Sequence, residues 1–154
     1  ITASGGSENY GVHSVTSNPT MMNVKTTASG GTKNYGVYNY QASSAMTNVN
    51  ATASGGTNSN RGIYNLNYSS PVMTFATVTA QGAGVYNYGV HNDNSSNFHI
   101  DHSVISGSQY SISTSSSSNA YIGNTQLDGA IEGSNNACAG VYDQYYNFHP
   151  DSCS

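Results

Sequence analysis

The sequence predicts an all-β fold: a right-handed parallel β-helix of about five to six coils, closed by a disulfide-stapled C-terminal cap. Three observations predict it. The phrase TASGG recurs at Thr2, Thr27 and Thr52. A small residue followed by an aliphatic one recurs at Gly11, Gly36, Gly62, Gly89, Ser111 and Gly140, with spacings of 25, 26, 27, 22 and 29. A second column, Met21, Met46, Met73, Ile100 and Ile122, drifts in step with the first. A period of this length marks units that cannot bury an apolar face alone and must stack on one another. No window carries apolar residues at the three- and four-residue spacing of a helix without Gly or clustered polar residues interrupting it.

Within each coil the elements follow from parity. Two residues after the Met/Ile column stand Asn23, Asn48, Phe75, His102 and Asn124. The chain is expected to turn a corner there, because Asn tolerates the left-handed backbone of such corners. Three, five and seven residues on, the columns are small or aliphatic, as in Val49, Ala51 and Ala53. That alternation is a strand with one face inward, and TASGG is its end and the following turn. The glycine-plus-aliphatic segment is the next strand, with Val12, Val37, Ile63, Val90 and Ile112 inward and Val141 in the same column of the final copy. Ser115–Ser118 reads as a loop between coils. The chain is one domain, with coils over 1–137 and a cap segment over 138–154.

Cys138 and Cys153 are expected to form one local disulfide, which implies an oxidising, secreted or cell-surface location. Buried or metal-bound thiols are the alternative. Ile1 aligns with Ala51 in an inward column, so the chain is expected to start in mid-strand with an open first coil. On that expectation it is either the C-terminal part of a longer, processed rod or is covered there by another subunit.

Charged residues make up 6% of the chain, the formal net charge is -4, and Lys25, Lys33 and Arg61 are the basic side chains. Three cations cannot neutralise a run of phosphates, so nucleic acid is not an expected partner. No apolar run approaches the roughly 18 residues of a membrane span. No motif calls for a cofactor, and the expected partners are copies of the chain itself, with glycans second.

The phrases NYGVYN (Asn34 to Asn39), AMTNVNATASGG (Ala45 to Gly56), FHIDHSVISG (Phe98 to Gly107) and YIGNTQLDG (Tyr121 to Gly129) resemble coils of pectin-lyase-like right-handed β-helix repeat proteins. The ending CAGVYDQYYNFHPDSC (Cys138 to Cys153) resembles the terminal segment of repeat-rich bacterial secreted or surface proteins of that kind. The resemblance implies the fold. It implies no activity, since many such proteins are structural or adhesive. The polysaccharide lyases and hydrolases of the family use clustered acids, or Ca²⁺-binding carboxylates with an Arg or Lys base. Here Asp93, Asp101, Asp128, Glu132 and Asp143 are scattered over different coils, and Arg61 is the single arginine.

The residue after each inward aliphatic is expected to point outward: His13, Tyr38, Tyr64, His91, Ser113 and Tyr142. Rings in such a ladder stabilise one another as cross-strand pairs, and they also offer a face to a second copy or to sugar rings. Thr2, Thr27, Thr52 and Thr79 form another outward column, of ordinary β-propensity. His91, Asp93, His99 and Asp101 in the fourth coil are metal-ligand types without a known spacing. Asn50, Asn67 and Asn94 stand in N-glycosylation sequons. The expected function is a non-enzymatic extracellular structural or adhesive solenoid that self-associates, end to end or laterally. The alternative is a carbohydrate-binding or polysaccharide-active β-helix using the ladder.

Overall fold

The computed structural model describes residues 1–82, 84–150 and 153. Three strands per coil stack into three parallel ladders, giving a β-solenoid of about five turns. The first ladder holds β1 (Thr2–Ser4), β4 (Lys25–Ser29), β7 (Asn50–Ser54), β10 (Thr77–Gln81), the start of β13 (Val104–Thr114), the start of β15 (Gln126–Glu132) and β17 (Val141–Asp143). The second holds β2 (Glu8–Val15), β5 (Lys33–Tyr40), β8 (Ser59–Leu66), β11 (Tyr86–Asn92) and the ends of β13 and β15. The third holds β3 (Thr20–Met22), β6 (Ala45–Thr47), β9 (Val72–Thr74), β12 (Asn97–Asp101), β14 (Asn119–Gly123) and β16 (Asn136–Ala139). No helix occurs among the described residues.

The repeat columns are the pairing register. Thr2 pairs with Thr27 and Thr27 with Thr52, while Met21 pairs with Met46 and Met46 with Met73. Every coil thereby places its aliphatic residues over those of the coil below. Met46, Met73, Val37, Ile63, Val90, Val78, Ile105 and Ile112 form the buried core. The expected corner is present in every coil: Asn23, Asn48, Phe75, His102 and Asn124 have φ between 42° and 55°. Between the third and the first ladder the chain turns at this left-handed residue.

Where the repeat shortens to 22 residues, the TASGG turn is lost and β13 runs on without a break. It therefore joins the first and second ladders into one twelve-stranded sheet, with the third as a separate six-stranded one. The change falls within β13, which pairs Gly107 with Ala80 of β10 and Tyr110 with Tyr88 of β11. A further register shift, between β13 and β15 after Ser106, shortens the next coil again.

The interior also carries polar ladders. Asn9, Asn34, Asn60 and Asn87 are buried, and each amide nitrogen donates to the next side-chain oxygen at 3.0, 3.0 and 2.9 Å. Ser69, Ser96 and Ser118 accept from the backbone N–H of Ala42, Ser69 and Ser96 in the coil before each. In a second asparagine column Asn39 donates to Asn65 at 2.9 Å. The orphaned donor of Asn65 and the orphaned acceptor of Asn92 are the two halves of the next rung.

The final copy departs from the expected alignment. Tyr142 pairs with Gln126 and Asp143 with Leu127, so Val141 belongs to the first ladder, in the column of Thr125. It is a core residue, but the sixth member of the second ladder is Ile131, opposite Ile112. The 29-residue spacing to Gly140 had skipped it. Cys138 pairs with Ile122 inside the third ladder, and its disulfide to Cys153 is formed. The segment from 138 thus completes the last coil before β17 turns back into β18 (Phe148–His149), an antiparallel hairpin.

Candidate functional site

Three surfaces bring rings together. On the second ladder β2, β5, β8 and β11 bulge locally at their glycine while keeping register with one another, so that alternation breaks there: in β2, Tyr10 and His13 face outward, while Asn9 and Val12 face in. The glycine is required by packing. A Cβ on Gly36 would stand 2.5 Å from Gly62 O and 3.1 Å from both Ala51 Cβ and Thr52 N.

The bulge doubles the expected ring ladder. His13, Tyr38, Tyr64 and His91 are one column, and Tyr10, Tyr35, Arg61, Tyr88 and Tyr110 are a second beside it. Tyr10 stacks on Tyr35 at 5.1 Å and Tyr64 on His91 at 4.9 Å, with edge contacts between the columns. The Arg61 guanidinium lies 4.5 Å from the Tyr64 ring centre. Tyr35 and Tyr88 are buried, at 4% and 7% exposure. The rings thus spend their faces on one another, as cross-strand pairs do.

Burial sets the proton affinities of this face. It pushes the Tyr64 hydroxyl up to about 12, with Arg61 opposing. It pulls His91 down to about 4, helped by Arg61 and opposed by Asp93. His91 Nδ1 and Arg61 Nε are buried without a partner.

Ser113 continues the His13 column, but its next member is Glu132, which accepts from Ser113 Oγ at 2.7 Å. Tyr142 does not belong to this ladder; it stands on β17, where the shortened last coil carried the chain past the second ladder.

The fourth-coil metal candidates are divided between faces. His91 lies on β11 with Asp93 just beyond its end, whereas His99 and Asp101 lie on β12 in the third ladder. Among the described residues no three His, Cys, Asp or Glu side chains converge. His99 instead stacks on Tyr121 at 4.5 Å, and Asp101 accepts from Asn124 Nδ2 at 3.1 Å.

Of the sequons, Asn50 is exposed. Asn67 and Asn94 lie one above the other and hydrogen-bond through their side chains, and their sequon hydroxyls, Ser69 and Ser96, are buried in the serine ladder. Two glycans there would have to share one coil spacing of about 4.8 Å.

The second surface is the outer face of the third ladder. The columns Val72, His99, Tyr121, Ala137 and Thr74, Asp101, Gly123, Ala139 border a shallow cleft of about 510 Å³ running along the solenoid axis. Its floor is the backbone of Met73, Ile100, Ile122 and Cys138.

The third is the cap. Asp143 Oδ1 accepts from the N–H groups of Tyr145 and Asn147, both at 2.8 Å, and its Oδ2 from Asn147 Nδ2 at 2.7 Å. The Asn147 amide, followed by these N–H groups against slight desolvation, holds the Asp143 carboxyl below its usual range. The fixed loop presents Tyr145 and Tyr146, 76% and 75% exposed, with Tyr146 at φ 62°. Tyr142 and Phe148 are exposed at its base, 5.1 Å apart. Sequence spacing alone gave no signal for the groove, but the YDQYYNF run at residues 142–148 was a visible marker of the cap.

No protein family, curated protein or solved structure matches this chain, so the fold and these surfaces stand on the chain's own geometry.

Proposed function

We propose that the protein is a non-enzymatic extracellular structural or adhesive β-solenoid that self-associates, kin to the pectin-lyase-like repeat proteins its phrases resemble. The observation that carries this reading is the cap. Four large aromatic side chains, Tyr142, Tyr145, Tyr146 and Phe148, are exposed within seven residues on a hairpin held by a disulfide and by Asp143. A contiguous exposed apolar patch on a rigid support is the mark of an association surface. The disulfide supports a secreted or cell-surface location. The ring ladder contributes stiffness to this rod more than contact area, since its faces are already occupied. Sedimentation velocity over a wide concentration range, with electron microscopy of the concentrated sample, tests the reading. Concentration-dependent growth is expected, and a monomer throughout sinks it.

A second reading, carbohydrate binding, is favoured by one observation: the stacked His99 and Tyr121 rings stand beside the Asp101 carboxylate in an open cleft. A ring platform flanked by a fixed acceptor suits a sugar face. Retention on a glycan array, lost in Tyr121→Ala, is the result this reading requires.

A further inference from the structure

Resting on the self-association reading, we propose that the cap loop of one copy seats Tyr145 and Tyr146 in the third-ladder groove of the next copy. The contact is heterologous, because two different surfaces of the same chain meet. Such contacts propagate into open filaments unless the rotation between copies closes a ring.

Four features on the two surfaces fit one another. The knob consists of the two most exposed tyrosines of the chain, fixed by three hydrogen bonds to Asp143. The groove is lined mainly by apolar residues, with His99, Thr74 and Asp101 as the polar ones. It spans four strands, about 14 Å at 4.8 Å per strand, room for two ring widths. Its C-terminal end is low, because Gly123, Ala137 and Ala139 carry little or no side chain, while Tyr121 and His99 form a high wall. The opposite wall carries the Asp101 carboxylate, an acceptor, beside the Thr74 hydroxyl, and the knob's polar tips are phenol donors.

A copy cannot fill its own groove. The hairpin leaves the corner at Gly140, whose N–H donates to Pro150 O at 2.9 Å. It pairs Val141 with His149 and Tyr142 with Phe148, so its tip points along the first ladder away from that corner. The groove lies on the other side of the same corner, ending at Ala139. Each ring buries on the order of 150–250 Å². Two rings fall short of the roughly 1,200 Å² of a stable binary complex, so each contact is weak and association requires high protein concentration.

The test uses two variants of the full chain. Tyr145→Ser with Tyr146→Ser removes the knob and leaves the groove. Ala139→Arg fills the groove from an exposed position, its guanidinium lying over Gly123 toward Asp101, and leaves the knob. Circular dichroism and thermal melts establish that both fold. Sedimentation velocity of each variant alone is expected to show association at least tenfold weaker than wild type. An equimolar mixture is expected to give a 1:1 dimer and nothing larger, since one knob and one groove remain.

Wild-type association with variants that associate equally well overturns this inference and leaves self-association standing by another surface. A mixture that stays monomeric also overturns it. A wild type that is monomeric at every concentration removes the underlying reading as well. Occupation of the groove by an added oligosaccharide, with association unchanged, assigns the cleft to a glycan and overturns the docking.

Discussion

At the residue scale the fold is decided by a few side chains whose backbone or hydrogen-bonding needs no neighbour can meet. Asn60 accepts from Asn34 Nδ2 and from Gly56 N, and it donates to Asn87, all while fully buried. Asn60→Ala leaves Asn34, Asn87 and Gly56 with unmet polar groups. At 1–3 kcal/mol per orphaned group, a loss of about 3 kcal/mol or more is expected in denaturant titrations, with a cavity adding to it. A loss under 1 kcal/mol would mean that water replaces the ladder. The corner column makes the opposite prediction. Phe75 sits at φ 54° and is 60% exposed, in a position where Asn23, Asn48 and Asn124 serve elsewhere. Phe75→Asn relieves a left-handed strain of about 1–2 kcal/mol and is expected to raise the melting temperature by a few degrees. The corner was legible in the sequence because the break in parity falls on Asn. The buried asparagine ladder was not, since an Asn reads as polar surface until its partner one coil away is known.

At the element scale the strand of the second ladder is shaped by its glycine bulge. The repeat of that glycine was visible in the sequence, and so was the aliphatic residue after it. The second ring column was not, because a bulge shifts Tyr10, Tyr35 and Tyr88 to the outer face against simple alternation. Gly36→Ala is expected to abolish the folded state or unravel the flanking coils, read as loss of the cooperative melt. The atoms a methyl would meet are two backbone atoms, Gly62 O and Thr52 N, and the Ala51 Cβ, none of which can rotate aside. The ring face carries a pH dependence through His91, whose folded value of about 4 lies below its ordinary 6.5. Unfolded chains take up this proton below pH 6.5 and the folded chain resists until about pH 4. Stability is therefore lost progressively as pH falls through that window, and it changes no further below it. His91→Tyr keeps a ring in the column, as at Tyr38 and Tyr64, and removes the titration. The stability of wild type relative to this variant is expected to fall by on the order of 3 kcal/mol between pH 7 and 4. Parallel pH profiles of the two proteins would show His91 to be solvated and the argument mistaken.

At the scale of the whole molecule the solenoid is close to one-dimensional, with each coil held by its neighbours and the last coil held on one side by the cap. The TASGG period made this architecture legible, but the glycine-plus-aliphatic column placed Val141 and Tyr142 in the wrong ladder, because the last coil shortens and the 29-residue step passes over Ile131. What secures that coil is the bond from Cys138 in β16 to Cys153, closing a loop with a sequence separation of 15. A loop of that size contributes about 3 kcal/mol by restricting the unfolded chain. In a globular domain this would lower a single global transition. Here the loss is expected to stay local, since the contacts of β4 to β11 do not pass through the cap. Cys138→Ser with Cys153→Ser, or reduction of the wild type, is therefore expected to remove hydrogen-exchange protection from β15 to β18 first. Protection of the asparagine ladder between Asn9 and Asn87 should be retained. Because the proposed knob lies in the same unit, the reduced protein should also lose concentration-dependent association while its solenoid still melts cooperatively. Uniform loss of protection along the chain would show that the coils unfold as one body and that the cap is an integral part of the core.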